Sequence, residues 1–245
     1  PYRATLQLGP DMNSDVIVGE NVSNIRLRGL RIDGNRANNA SGNGCGIRLN
    51  DVTDAWLDNI EIFSALADGV QLNQCVRVEF SGLKSSDNGR HGISLNGTTF
   101  SIFQAVRSFN NCQVSTSGTA DGFNLDVIST DNDFMGCLAY DTALTGSRQR
   151  YGFNEVSGGN CARNVWLGPT PRGNATAAFN MEPDSVAICA AYILGNLGLG
   201  SESPNASAIL DLVATNRGLG VNTMTTVQKN NIASPRAGLT VYDST

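Results

Sequence analysis

Apolar and polar residues alternate in a short pattern that recurs along the chain at nearly regular intervals. Each copy opens at a glycine, or at an alanine in the last copy, and carries apolar side chains at every second position after it. The copies are residues 45–50, 67–73, 91–96, 121–126, 151–156 and, in a weaker form, 177–182. The opening positions are 23, 23, 30, 30 and 26 residues apart. Alternation with a period of two predicts strands with one buried face and one wet face.

The spacing of these strands predicts how they pair. A strand this short cannot bury its apolar face alone, and a period of about 23 residues leaves no room for a crossover helix. Stacked coils are the solution that is left. We therefore predict an all-β fold, a single-stranded right-handed parallel β-helix, with its hand taken from the general rule for parallel crossovers.

Stacking in register predicts interior columns of apolar side chains. The first column is Ile47, Val70, Ile93, Phe123, Phe153 and Phe179, and the second is Leu49, Leu72, Leu95 and Leu125. A second strand in each coil is predicted over residues 25–32, 56–62 and 76–80. Three aromatic residues, Trp56, Phe100 and Trp166, belong to strands, so we expect them in the core rather than outside as platforms for sugar rings.

Composition narrows the class of protein. With 40% hydrophobic residues among 245, the chain can bury a sizeable core, and its 27 glycines suit short strands joined by tight turns. A net charge of −5 argues against nucleic acid as a partner. The longest strongly apolar run, residues 186–194, is too short to span a bilayer, so no membrane insertion is predicted. Because the first residue is a proline and not a methionine, we expect a fragment of a longer protein.

Cysteine spacing follows the coil period. Four cysteines, Cys112, Cys137, Cys161 and Cys189, are 25, 24 and 28 residues apart, which predicts one interior column of reduced thiols rather than disulfides. The sequence has no C-x-x-C pair and a single histidine, so no zinc site is predicted. We predict no cofactor. At residues 131–133, calcium is the alternative to a solvated loop.

The regular pattern fades towards the C-terminus, which divides the chain. We predict a β-helix over residues 1–195, followed at 196–245 by a linker and a short stalk-like module. Residues 111–120 and 141–150 are insertions that each lengthen a coil by about seven residues. Insertions in a solenoid map to loops, and such loops are where a binding wall is built.

Titratable residues occupy the position just before the strand glycine in successive coils. They are Asp68, His91, Asp121 and Tyr151, with Cys45 in the same place one coil earlier. Arg90 and Arg150 come one residue before His91 and Tyr151. Since neighbouring strands lie ~4.8 Å apart, these side chains are predicted to form a ladder at one edge of a sheet. We take the six residues Asp68, Arg90, His91, Asp121, Arg150 and Tyr151 as candidate catalytic groups.

Two mechanisms fit that ladder. Asp68 and Asp121, two coils and ~9.6 Å apart, could lean to the separation of an inverting glycosidase, with His91 tuning one carboxyl group. Alternatively, His91 or Tyr151 removes a proton beside a uronate carboxylate that an arginine neutralises, as a lyase or epimerase would do. A structural role for the ladder and glycan binding without turnover stay open.

Polar residues also line the wet face of the same strands. A face of this kind offers many partners to the hydroxyl groups of a linear glycan, so we predict that it binds the substrate. Its predicted binding residues are Arg48, Gln71, Asn73, Ser94, Asn96, Asn124, Asp126, Asn154 and Glu155.

Parts of the ladder resemble two enzyme families. Residues 67–73, Ala-Asp-Gly-Val-Gln-Leu-Asn, and residues 89–95, Gly-Arg-His-Gly-Ile-Ser-Leu, resemble the polygalacturonase pattern D-D-C-V-A-I-N followed by G-H-G-I-S-I. That resemblance implies a catalytic Asp68 and a supporting His91, although Ala67 replaces the first aspartate. Residues 90–92 and 151–153 resemble the R-H-G and Y-G-F pieces of the mannuronan C5-epimerases, in reversed order.

The C-terminal residues resemble a different family. Residues 207–212, 215–218, 224–229, 232–235 and 237–245 together resemble a module of bacteriophage tail fibres and tailspikes. The resemblance implies a homotrimer on a virion tail, and a module that continues beyond residue 245. The whole sequence thus predicts a tailspike-like protein that binds a surface polysaccharide and degrades it, with hydrolysis ahead of elimination. The alternatives are a non-catalytic tail adhesin and a secreted bacterial lyase or epimerase.

Overall fold

The computed structural model describes residues 4–114, 119–142, 149–156, 158, 160–182, 185–188, 197–199, 210–212, 223–231 and 242–243. The chain forms two compact units, Pro1–Ala191 and Tyr192–Thr245. The first unit contains three parallel sheets of seven strands each. The second unit contains two short parallel strand pairs and one short helix among its described residues.

The three sheets of the first unit take one strand each from every coil. The first sheet contains β1 (Ala4–Gln7), β4 (Leu30–Asp33), β7 (Glu61–Phe63), β10 (Lys84–Ser86), β13 (Arg107–Phe109), β16 (Leu138–Tyr140) and β19 (Thr170–Arg172). The second contains β2 (Ile17–Glu20), β5 (Ile47–Asn50), β8 (Val70–Asn73), β11 (Ile93–Asn96), β14 (Phe123–Asp126), β17 (Tyr151–Glu155) and β20 (Ala177–Asn180). The third contains β3 (Ser23–Arg28), β6 (Thr53–Asp58), β9 (Val76–Ser81), β12 (Ile102–Gln104), β15 (Asp133–Met135), β18 (Val165–Leu167) and β21 (Val186–Ile188).

This topology confirms the predicted all-β parallel β-helix. Every strand pairs in parallel with the equivalent strand of the next coil, so the chain order within each sheet advances by three strands at a time. The predicted register is confirmed as well: Ile47 pairs with Val70, Val70 with Ile93, and Ile93 with Phe123. One turn of 3-10 helix, Arg36–Asn38, interrupts the coils.

Each coil contains three strands, which corrects the prediction of two. The predicted strand over residues 25–32 is broken at Gly29 (φ 67°), and the one over residues 56–62 is broken at Asn59 (φ 54°). A single residue in the left-handed region turns the chain from the third sheet to the first. Such a corner is too short to interrupt the alternation of apolar and polar residues, so the two strands read as one.

Apolar columns fill the interior of the coil. The two predicted columns of the second sheet are buried from Ile47 to Phe153 and from Leu49 to Leu125, while Phe179 at the end of the first column is partly buried. The third sheet adds an aromatic stack in which the ring centres of Phe103 and Phe134 are 4.6 Å apart and those of Phe134 and Trp166 are 3.7 Å apart. Aromatic stacking of this kind adds to the hydrophobic term that drives burial. Trp166 is therefore a core residue, as predicted.

The strand glycines are required by close packing of the second sheet on the first. A Cβ atom at Gly69 would lie 1.9 Å from Oγ of Ser85, and one at Gly92 would lie 1.8 Å from Oγ of Ser108. The same serine hydroxyls donate to carbonyl oxygens one coil on, Ser85 to Gly92 at 2.8 Å and Ser108 to Gly122 at 2.7 Å. Glycine at these two positions thus makes room for a serine hydrogen bond that joins two sheets.

The cysteines lie at different corners of the coil, so the prediction of one shared column is wrong. Cys137 precedes β16 of the first sheet, whereas Cys161 precedes the bridge between Ala162 and Thr130 that leads into the third sheet. Both are free and buried thiols, and burial raises the pKa of Cys137 to about 12 and that of Cys161 to about 11. Cys189 lies outside the described residues.

Polar side chains satisfy the backbone where the coil turns. At the start of the third sheet, Oδ1 of Asn132 accepts from the amide of Ser101 at 3.0 Å, and Oδ1 of Asn164 accepts from the amide of Asn132 at 3.1 Å. The amide of Asn164 in turn donates to Oγ of Ser185 at 3.3 Å. These side chains are inside the coil, where an amide without a partner is costly.

The second unit contains β22 (Leu197–Leu199) paired with β23 (Leu210–Leu212), and β24 (Thr223–Met224) paired with β25 (Tyr242–Asp243). Helix α1 (Thr226–Asn230) follows β24. Most of the predicted C-terminal module lies outside the described residues. No helix in the described part of the chain is long and apolar enough to cross a membrane.

We expect Asn132→Ala to lower the free energy of unfolding by about 3 kcal/mol, because it leaves the buried amide of Ser101 without a partner and removes one of the two donors to the carbonyl of Thr98. Chemical denaturation of the full chain measures this change. Asn43, which is exposed, provides the matched control, and Asn43→Ala should change stability by less than about 0.5 kcal/mol. Equal effects of the two substitutions would contradict a structural role for the corner asparagines.

Candidate functional site

The predicted ladder exists as one column along the edge of the second sheet. The amide of Gly69 donates to the carbonyl of His91, that of Gly92 to Asp121, and that of Gly122 to Tyr151, each across one coil. The column begins one coil earlier than the sequence indicated, at Asp15, which faces Cys45. The sequence pattern did not include Asp15 because Val16, the residue after it, stands where later coils have glycine.

Ladder side chains accept hydrogen bonds from the backbone of the next coil. Oδ1 of Asp15 accepts from the amide of Cys45 at 2.7 Å, and Oδ1 of Asp68 accepts from that of His91 at 3.0 Å. Nδ1 of His91 then accepts from the amide of Asp121 at 2.9 Å, and Oδ1 of Asp121 accepts from that of Tyr151 at 3.1 Å. The ladder side chains therefore hold each coil to the next through hydrogen bonds.

Asp121 is the most heavily bonded member of the ladder. Its side chain is 0% exposed and receives Nε and Nη2 of Arg150 at 2.9 and 2.8 Å. Nδ2 of Asn154 adds a further bond at 3.0 Å. The hydrogen bond to Asp121 raises the pKa of Arg150 above its usual value, so the guanidinium keeps its charge. A carboxylate held by this many donors and shielded from solvent cannot attack or protonate a substrate.

His91 is held in a form that does not suit a general base. Because Nδ1 accepts the amide of Asp121, the proton of the neutral ring is at Nε2. The ring has no free lone pair for a substrate proton, although Nε2–H can donate a hydrogen bond. The residue is only 8% exposed.

Asp68 is also shielded, at 1% exposed, which corrects the expected glycosidase pair of Asp68 and Asp121. Oδ1 of Asp68 lies 3.8 Å from Nε of Arg90, and Oδ2 has no hydrogen-bond partner within the described residues. Burial, reinforced by the Asp68 carboxylate, raises the pKa of Cys45 to about 11. Cys45 is thus a neutral thiol and not a nucleophile.

Three of the six candidate catalytic residues face solvent. Arg90 is exposed, while Arg150 and Tyr151 are partly buried. The guanidinium carbon of Arg150 lies 4.8 Å from the ring centre of Tyr151, which is a cation–π contact. A ligand that approaches this edge of the sheet meets an aromatic hydroxyl and cationic groups rather than carboxylates.

The predicted binding face of the second sheet divides into two parts. Arg48 and Gln71 are partly exposed in the early coils, and Arg48 is tied to Asp15 at 3.1 Å. In the later coils the outer residues Ser94, Asn124 and Asn154 are buried. Nδ2 of Asn154 bonds Oδ1 of Asn124 at 2.8 Å. Of these five residues, only Arg48 and Gln71 offer polar groups that a ligand can reach directly.

A second line of amides follows the ends of the same strands. Nδ2 of Asn96 donates to Oδ1 of Asn73 at 2.9 Å, and Nδ2 of Asn73 donates to Oδ1 of Asn50 at 2.6 Å. Nδ2 of Asn50 reaches Oε1 of Glu20 at 3.1 Å. Asp126 occupies the next position after Asn96. This asparagine ladder is partly exposed along its length.

Glu155 was predicted to bind substrate, and the structure places it inside the coil instead. It pairs with Leu125 of the interior column. Its Oε1 accepts from Nδ2 of Asn164 at 3.2 Å and from Nε1 of the core residue Trp166 at 3.3 Å. Burial raises the pKa of Glu155 above its usual value despite these donors.

The predicted calcium alternative at residues 131–133 gains no support. Asp131 is bound by Nε and Nη2 of Arg163 at 2.7 and 2.6 Å, which lowers the pKa of the carboxyl group. Its charge is therefore already compensated. In the part of the chain that the structure describes, no three acidic, histidine or cysteine residues are grouped to hold a metal.

The sequence analysis missed an outward column at the start of the third sheet. One residue of each coil here has a positive φ and points away from the core. Its members are Asn24, Asp54, Arg77, Phe100, Asp131 and Arg163. Phe100 is 60% exposed, so the expectation of a core residue is wrong. The charges on either side of it in the column were the signal that could have shown its position.

Comparisons with known proteins bear on both units. Residues 198–245 match the family model described as phage tail like trimerisation region, which confirms the predicted resemblance of the C-terminal residues. The chain is similar in structure to the A-module of a mannuronan C-5 epimerase from Azotobacter vinelandii, with a TM-score of 0.50 and 12% identity over 81% of this chain and 54% of that one. It is also similar to the enzymatically active domain of tailspike protein 2 from bacteriophage CBA120, with a TM-score of 0.49 and 14% identity over 85% of this chain and 35% of that one.

The likeness to the epimerase module shows the fold alone. The chain spans about half the length of the epimerase module and about a third of the tailspike domain. Comparison with curated proteins gave no match.

We expect Asp121→Ala to lower the free energy of unfolding by roughly 3–5 kcal/mol, because it strands the charge of Arg150 and the amide of Tyr151. Asp133→Ala is the matched control, since Asp133 is exposed on β15 and should tolerate the change within about 0.5 kcal/mol. Denaturation curves of both variants measure the difference. An Asp121→Ala protein as stable as the control would show that the ladder is dispensable for folding.

The buried carboxyl of Glu155 predicts a pH dependence of stability. Its pKa is raised in the folded chain, so the folded state holds the proton more tightly and stability is lost as the pH rises above about 4.5 through the folded pKa. Glu155→Gln removes this titration. We therefore expect the stability of the variant relative to the parent to increase from pH 4 to pH 7, by roughly 1.4 kcal/mol per unit of pKa difference. A relative stability that is flat with pH would contradict the raised pKa.

Proposed function

We propose that this chain belongs to a trimeric appendage of a phage-type tail, where its β-helix binds a surface polysaccharide. The observation that carries the proposal is the match of residues 198–245 to a phage tail like trimerisation region, directly after the coils. A trimerisation region brings three β-helices together, and their polar outer columns repeat along the coil axis. Regularly spaced hydrogen-bonding groups suit a polymer of sugar units.

Binding, rather than hydrolysis, is the activity that the geometry favours. A hydrolase needs two carboxyl groups that reach opposite sides of the scissile bond. Asp68 and Asp121 are shielded, and Asp121 is fully engaged with Arg150 and Asn154. Among the predicted catalytic and binding residues, the accessible groups are amides, arginines, one tyrosine and the single carboxylate of Asp126. These can hold a glycan, but they do not form a pair of carboxyl groups that could cleave it.

Elimination or epimerisation at Tyr151 is the second candidate. The contact between Arg150 and the ring of Tyr151 is the observation that favours it. In that reaction Tyr151, as a phenolate, takes the proton from the carbon beside a uronate carboxylate, while an arginine neutralises the carboxylate. The electron pair then expels the glycosidic oxygen in elimination, or takes up a proton on the opposite face in epimerisation. The epimerase module similar in fold acts, by its name, on mannuronan. A secreted bacterial enzyme would carry out the same chemistry without a tail.

The proposal predicts assembly and binding by the full 245-residue chain. Light scattering after gel filtration should give three times the chain mass of 25.9 kDa. A panel of acidic and neutral bacterial polysaccharides, tested by biolayer interferometry, should contain at least one that binds. A single-chain mass together with no binding across the panel would refute the proposal.

Turnover is tested on the polysaccharide that binds. Reducing ends and the absorbance of unsaturated uronate are followed for the parent chain, Tyr151→Phe and Asp68→Asn. We expect binding with neither product. A chromophore lost in Tyr151→Phe would establish elimination, and reducing ends lost only in Asp68→Asn would establish hydrolysis.

A further inference from the structure

The corner between the second and third sheets changes its construction in one coil. In three successive coils a single residue with positive φ makes this corner: Asp51, Gln74 and Gly97, with φ of 51°, 52° and 65°. In the next coil two residues make it, Val127 at 44° and Ile128 at 53°, between Asp126 and Ser129. The pairing of Asn96 with Asp126 and of Thr99 with Thr130 fixes this extra residue.

Neither backbone preference nor burial explains why valine and isoleucine occupy positions 127 and 128 of this corner. Branching at Cβ makes the left-handed conformation especially unfavourable, so two such residues in succession are a strained arrangement. Their side chains are also 56% and 57% exposed, and strain here is not offset by packing in the core. Strained, exposed apolar residues of this kind are concentrated at binding sites.

The two side chains form one wall of a groove of about 480 Å³. Asn73, Gln74, Asn96, Gly97 and Thr99 line the rest of it, and we call the space between these seven residues the corner groove. The volume lies within the range of small-molecule sites. An apolar wall therefore faces amide and hydroxyl groups across a space that one or two sugar rings can fill.

The asparagine ladder ends in this groove with acceptors left over. Nδ2 of Asn96 is used by Asn73, and Asp126, the next member, has no N–H to give to Asn96. Oδ1 of Asp126 instead accepts from the amide of Val127 at 2.8 Å. Within the described residues no donor reaches Oδ1 of Asn96 or Oδ2 of Asp126. A ligand that suits this end of the ladder brings hydrogen-bond donors.

An exposed aromatic ring belongs to the coil that contains Asn96 and Thr99. Phe100 follows Thr99 directly and interrupts the outward column of the third sheet, between Arg77 and Asp131. Those two neighbours are each paired away from it, Arg77 with Asp54 at 2.6 Å and Asp131 with Arg163 at 2.6 Å. The ring is thus flanked by charged pairs and covered by neither.

We propose that the corner groove is a subsite for one pyranose unit of a polysaccharide. Hydroxyl groups of the sugar donate to Asn96 and Asp126, while the C–H face of its ring packs on Val127 and Ile128. Phe100 provides a stacking surface for the adjoining unit. The proposal rests on the proposed function, since it names where on the coil the glycan is held.

A variant with a shortened corner tests the effect of the groove on binding without an expected loss of stability. Replacing Val127 by glycine and deleting Ile128 in the full chain reproduces the corner at Asn96-Gly97-Thr98. The change relieves the strained backbone, so we expect the same Tm or a higher one. For a polysaccharide that the parent chain binds, we expect Kd to rise at least tenfold. Val114→Ser, at an exposed valine outside the groove, should leave Kd unchanged.

Each outcome decides a different point. Equal affinity of the parent chain and the shortened variant would overturn the subsite, whereas failure of the parent itself to bind would count against the proposed function. A change from trimer to single chain in the variant would show that the corner contacts a second copy, and would also overturn the subsite. If shortening lowers Tm, the shortened variant is replaced by the double variant Val127→Ser and Ile128→Ser, which keeps the length of the corner. An unchanged Kd of the double variant would refute the proposal.

Discussion

The fold depends on how backbone amides are satisfied where the coil turns. Along the strands, parallel pairing meets this need, but at the corners the chain leaves the strand direction and the interior contains little else that can accept. Side chains of neighbouring coils supply the acceptors, as Asn132 does for the preceding coil and Asp68 for the following one. A buried amide without a partner costs more than a typical hydrogen bond returns, so corner residues are as constrained as the apolar core.

This constraint changes how the titratable ladder is understood. A carboxylate and an imidazole at one sheet edge suggest catalysis, yet His91 and Asp121 each accept an amide of the next coil. Their chemistry is used to stack coils. The groups of this sheet that accept no such amide lie towards solvent: Arg90, Tyr151 and the partly exposed asparagines. The proposed function assigns the ligand to these groups and leaves the buried ladder side chains to hold the coils together.

Much of the fold could be predicted from the sequence because register is repeated at every coil. Apolar alternation at a nearly constant spacing was sufficient for the columns of Ile47 and Leu49. The first sheet escaped notice because the corner that precedes its strands uses one residue, such as Asn59, and one residue does not disturb the alternation. Phe100 was misplaced for a related reason, since a single positive φ turns an aromatic side chain outwards. The neighbours of Phe100 in the chain do not distinguish that from a core position, and only the charged residues at the same place in other coils do. Glu155 was misplaced because its carboxyl group outweighed its register, which puts it in the apolar column of Leu125.

Coil stacking also limits how the surface of such a protein can diverge. Two successive repeats, from Gly46 to Gly69 and from Gly69 to Gly92, have the same length, and each coil contacts mainly the coils on either side of it. Gain or loss of one such unit leaves every other contact intact and moves the remaining surface by about 4.8 Å along the axis. Distances between groups on different coils can therefore evolve only in discrete steps of this size, while the identity of each group varies freely. A repeating polymer that bound such a surface would therefore meet groups whose spacing along the axis is set by the backbone.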